Sequence, residues 1–82
     1  MQKYRIEFIL HAYNTTGELI KSSLSEFGEN LEVNDTPMQE AGKGREFAIS
    51  MIAEEPEGIF DICSQFGRIK SVRVNEAQTY GT

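Results

Sequence analysis

The chain has 82 residues, 39% of them hydrophobic and 26% charged, which is the make-up of one ordinary globular domain and leaves no segment with linker or low-complexity character. Thirteen acidic residues against eight lysines and arginines give a formal charge of −5, a balance that argues against a nucleic-acid backbone as partner. The lone cysteine, Cys63, excludes an internal disulfide and a Cys-rich metal cluster; with no apolar signal core after Met1 and no run of membrane length, the expected location is the cytoplasm.

From Tyr4 to Tyr13 the residues alternate. Tyr4, Ile6, Phe8, Leu10 and Ala12 share one parity, and Arg5, Glu7, Ile9, His11 and Tyr13 the other. A period of two with one wholly apolar face predicts a strand, and a strand this apolar belongs in the middle of a sheet that rests on helices. Asn14-Thr15-Thr16-Gly17 follows as a loop. Thr15 and Glu18 stand in the relation of a capping box, which predicts a helix from about Thr16 to Phe27 with Leu19, Ile20, Leu24 and Phe27 as its apolar stripe and Gly28 as a left-handed terminator.

Leu31 and Val33 alternate with Glu32 and Asn34 in a second strand, and Pro37 confines it to an edge. Ala41-Gly42-Lys43-Gly44 is a turn signal that reverses the chain into a third strand, Arg45 to Ala53. There Phe47, Ile49, Met51 and Ala53 form the apolar parity. Pro56 and the carboxylates around it open a second helix that carries Ile59, Ile62, Cys63 and Phe66 inward, with Gly67 at its end. The last strand spans Arg68 to about Asn75. A single phase along it places Val72 and Val74 inward and Ile69, Ser71 and Arg73 outward. Residues 76–82 lack an apolar pattern and read as a loose tail, leaving 1–75 as the domain.

Ser25-Glu26-Phe27-Gly28 and Ser64-Gln65-Phe66-Gly67 echo one another at the two helix ends. The order strand, helix, strand, strand, helix, strand is therefore two similar half-units. The expected class is α+β, a ferredoxin-like βαββαβ arrangement with a four-stranded antiparallel sheet, the first and third strands central, and both helices on one face.

Four groups of residues bear on function. The loop Asn14, Thr15, Thr16, Gly17, with Leu19 beyond it, leads from a central strand into a helix start, where unpaired amides hold anionic groups; a well-capped helix start accounts for the same residues. Ile9, Ile52 and Ile69, with Ala48, are candidates for an apolar interface on the sheet face away from the helices. His11 is a lone histidine without a ligand set, and Cys63 sits on an apolar stripe as a small hydrophobe, so neither a metal nor a catalytic site is expected. Lys43-Gly44-Arg45-Glu46-Phe47-Ala48 is similar to a ribonucleoprotein motif, but the phase of the strands turns Phe8 and Phe47 toward the helices, away from where bases stack.

Taken from Tyr4 to Asn75, the chain resembles ACT and ACT-like domains. The similarity lies in the apolar first strand, in Asn14-Thr15-Thr16-Gly17-Glu18-Leu19 and in Phe27-Gly28-Glu29-Asn30-Leu31, with Asn14 where the family often has aspartate. The resemblance implies a non-enzymatic regulatory module without a cofactor that senses an amino acid or other small metabolite at the loop around Gly17, as a homodimer. Two alternatives remain open: a subunit that works through protein contacts alone, or an RNA-recognition-like binder.

Overall fold

A computed structural model of the chain describes residues 2–13, 15–37 and 44–77. The elements are β1 (Tyr4–Ala12), α1 (Gly17–Leu24), β2 (Gly28–Pro37), β3 (Arg45–Ala53), α2 (Pro56–Phe66) and β4 (Gly67–Glu76). The four strands form one antiparallel sheet in the order β2-β3-β1-β4, so the two most apolar strands are the central ones. Among the described residues no helix is long and apolar enough to cross a membrane.

The alternation of β1 and β3 does what a period of two requires. Ile6, Phe8, Leu10 and Ala12 are buried beside Phe47, Ile49, Met51 and Ala53, and Ile20 and Leu24 of α1 with Ile59 and Cys63 of α2 complete the same cluster. Both helices therefore cover one face of the sheet. Phe60 meets Phe8 edge to face at 5.5 Å, the arrangement aromatic quadrupoles favour. Burial pushes the Cys63 thiol up to about 11, which keeps it neutral and inert.

Helix α1 is shorter than the apolar spacing predicts. Thr16, not Thr15, is its N-cap, with Oγ1 accepting from the Leu19 amide at 3.2 Å. Only Ile20 and Leu24 are buried; Leu19 and Phe27 are 51% and 41% exposed. The helix stops after two turns because the chain must enter β2 at Gly28, directly opposite Ala53. Helix α2 is as expected at its start, with Pro56 in the first turn.

Gly28 and Gly67 are not left-handed terminators. Each is extended backbone opening an edge strand opposite an alanine that ends a central strand, Gly28 against Ala53 and Gly67 against Ala12. A Cβ at Gly28 would collide with the Ile52 carbonyl oxygen, and one at Gly67 with that of His11. The echo between the helix ends thus records a shared close approach of backbones.

Each edge strand also carries a bulge. Asn30 (φ 55°) interrupts β2 and Ser71 (φ 56°) interrupts β4. The second bulge reverses the phase of β4 on its helix-proximal side only: Ile69 lies opposite Leu10 and packs on the core, while Val74, opposite Ile6, keeps the expected inward phase although it and Val72 are 42% and 48% exposed at the sheet edge. The strand also runs through Glu76, and the Ala77 amide donates to the Lys3 carbonyl at 2.9 Å. The rest of the expected tail, 78–82, and most of the turn between β2 and β3 lie outside the described residues.

Candidate functional site

Thr16 caps the helix that follows the loop between β1 and α1. The Leu19 amide is taken by the Thr16 side chain and the Ile20 amide by the Thr16 carbonyl. Glu18 in the first turn sets a carboxylate against the positive end of the helix, where it competes with any incoming anion. Gly17 turns its bare side inward, since a Cβ there would touch Phe47 and Val33 at 3.7 and 3.8 Å rather than a ligand. Thr15 Oγ1 is buried and has no hydrogen-bond partner among the described residues. Leu19 is exposed on the helix flank, and Asn14 lies outside the described residues.

The sheet face away from the helices is built differently. Ile9 and Ile52 lie half-buried on it with Ala48 and Ser50, while Ile69, expected beside them, is on the helix side because of the Ser71 bulge. Strand register lines up rows of side chains across this face. In the order β2, β3, β1, β4 one row is Glu32, Ser50, Glu7, Arg73; the next is Asn34, Ala48, Ile9, Lys70; a third is Glu29, Ile52, Arg5, Asn75. At the far end His11 stands between Glu46 and Arg68. Acidic and amide groups thus follow the β2 edge and cations the β4 edge.

A shallow cleft of about 420 Å³ lies at the middle of this face, lined among others by Glu7, Ile9, Asn34, Ala48, Ser50 and Arg73. A second, of about 360 Å³, is lined by His11, Tyr13, Gly67 and Arg68, with the His11 and Tyr13 rings 5.1 Å apart. The acidic cleft at the opposite end of the sheet holds Lys3 against Glu29 at 3.0 Å. None of these is lined by Thr15, Thr16, Gly17 or Leu19.

One polar tie crosses the face. Lys70 reaches over β1 to Glu46 at 2.5 Å, and His11 Nδ1 is 3.9 Å from the same carboxylate. The Lys70 hydrogen bond holds the Glu46 carboxyl below the ordinary carboxylate range; partial burial opposes this, and the charges of Lys70 and His11 reinforce it. Glu46 is the cross-strand neighbour of His11, and such neighbours are nearer than residues four apart along a strand. Among the described residues no group of three or more His, Cys, Asp or Glu is placed to hold a metal ion.

Comparison of the chain with models of protein families, with curated proteins and with solved structures finds no match.

Proposed function

We propose that the chain is a ferredoxin-like, ACT-like module that acts by binding rather than by catalysis, and that its working surface is the open face of the sheet. The strand order taken from the β4 edge, β4-β1-β3-β2, with both helices on one face, supports the split βαβ reading. The observation that carries the functional reading is the ordering of charge on the open face around a cleft with an apolar floor. Arg5, Arg68, Lys70 and Arg73 there balance Glu7, Glu29, Glu32 and Glu46, so the surplus of −5 belongs to the rest of the chain. A neutral, patterned face on an acidic protein is suited to a protein partner, since complementary charge sets orientation while small central side chains permit close approach.

A photo-cross-linking residue at Ser50, compared with one at the exposed Glu57 of α2, tests this in the cells that express the protein. Adducts are expected from Ser50 and not from Glu57. Adducts from Glu57 alone overturn the reading.

Amino-acid sensing at the β1–α1 loop is a second reading, favoured by the unpartnered Thr15 Oγ1, a buried hydroxyl whose missing hydrogen bond a ligand would supply. A ligand that binds only the folded form raises the melting temperature by mass action. Under this reading one amino acid at millimolar concentration raises it, and Thr15→Val removes the shift. A flat response across all amino acids overturns it.

A further inference from the structure

The open face is complementary to itself in one orientation only. We infer that its partner is a second copy of this chain, packed face to face about a two-fold axis that runs parallel to the strands between β1 and β3. This rests on the open face being the working surface, and it specifies what covers that surface.

A two-fold axis along the strands maps each row onto its own reverse. In the first row Arg73 then lies over Glu32 of the second copy, and Glu7 over its Ser50, whose hydroxyl donates to the carboxylate; each contact occurs twice. In the second row Ile9 meets Ala48, and Asn34 lies over the backbone position of Lys70, whose ammonium stays on Glu46 of its own chain. At the end of the sheet His11 of one copy faces Glu46 of the other. In the third row Ile52 meets the aliphatic stem of Arg5, and Glu29 meets the Asn75 amide, so that at the rim Arg73 reaches an acid and Glu29 an amide donor.

The competing arrangements are disfavoured by the same residues. A two-fold axis perpendicular to the strands stacks β4 on β4 and β2 on β2, setting Arg73 against Arg73 and Glu32 against Glu32, and like charges so placed repel. Edge-to-edge pairing of β2 with β4 is opposed by the bulges at Asn30 and Ser71, which break the row of free backbone groups such pairing needs.

The size of the contact fits a reversible dimer. Four strands about 4.8 Å apart, each about nine residues at ~3.3 Å, present roughly 600 Å² per copy, or about 1,200 Å² in total, at the lower end of specific interfaces. Charge at the rim makes such a contact sensitive to salt.

Sedimentation equilibrium of the full chain, from micromolar to millimolar, provides the test. The wild type is expected to pass from 9.3 kDa toward twice that mass with rising concentration. R68E/R73E makes both edges acidic and E29K/E32K makes both basic, so each alone weakens self-association by about tenfold or more. Mixed one to one, the two variants are expected to form a heterodimer, because both rims become complementary again. Circular dichroism establishes that each variant is folded, and the single changes R73E and E32K replace any double variant that is not.

A wild type that stays at 9.3 kDa at millimolar concentration overturns the inference, as does a mixture that fails to associate. If Ser50 cross-links instead to a different polypeptide, the second-copy inference falls while the open-face reading stands. Adducts from Glu57 alone remove both.

Discussion

Phe47 and Ala48 are neighbours on β3, yet they answer to different chemistry. Phe47 is fully buried under the helices, where apolar area removed from water sets the energy; Ala48 looks onto the open face among ordered charges. The helix side is complete within one chain: every described residue of its core cluster is apolar or a neutral thiol, and among the described residues no polar or charged residue is buried as a whole. The open side is balanced in charge but leaves isoleucines half-covered. One face specifies the fold, and the other is available to a partner.

Substitution on the two faces separates these roles. Phe47→Ala removes the largest fully buried side chain and is expected to cost about 3–5 kcal/mol, enough to unfold a domain of this size in a denaturant titration. Ala48→Lys, one residue away, is expected to leave the monomer within about 0.5 kcal/mol of wild type while abolishing association. A large loss of monomer stability with Ala48→Lys would break the distinction.

The buried thiol gives the helix face a pH signature. Cys63 titrates near 11 when folded and near 9.0 by its ordinary value, so between those limits the folded state holds a proton that the unfolded state has released. Its contribution is whole below pH 9 and fades as pH rises toward 11, by roughly 2–3 kcal/mol at most. Melting curves of wild type and Cys63→Ala across that range are expected to converge as pH rises; parallel curves would contradict burial as the cause.

The glycines at the joints between helix and edge strand come next. Gly67→Ala forces a methyl group onto the His11 carbonyl and is expected to cost about 1–3 kcal/mol, and Gly28→Ala the same against Ile52. Equal losses would establish the two half-units as equivalent at this joint. The smallest effect is expected from Leu19→Lys, within about 0.5 kcal/mol because the side chain is exposed, whereas Ile20→Ala next to it costs about 2–5 kcal/mol.

These contrasts also mark what the sequence made legible. Alternation in β1 and β3 was readable because every buried position on those strands is apolar, and the alternate positions include enough charge to fix the phase. The N-cap was not, since Thr15 and Thr16 are adjacent and either begins a plausible first turn; Thr16 wins through its bond to the Leu19 amide, which leaves Leu19 outside the stripe. The phase of β4 was hidden for another reason. Asn30 is a residue type that tolerates positive φ, but nothing in Arg68-Ile69-Lys70-Ser71-Val72 signals that Ser71 takes it, and one extra residue there moves Ile69 inward while Val74, opposite Ile6, keeps the expected helix-side phase at an exposed edge. The loop at Gly17 carried the right residue types for a ligand, but the Leu19 amide is taken by the Thr16 side chain and the glycine faces Phe47 and Val33, an orientation that depends on packing with β2 and β3.

Amide chemical shifts followed through a dilution series bear most directly on the claim that the open face is the working surface and pairs with its own copy. The account predicts concentration-dependent shifts at Glu7, Ile9, Ala48, Ser50 and Arg73, with Thr15 to Leu19 and the exposed side of α2 unmoved. Shifts confined to the β1–α1 loop or to the helices, with the open face constant, would contradict it.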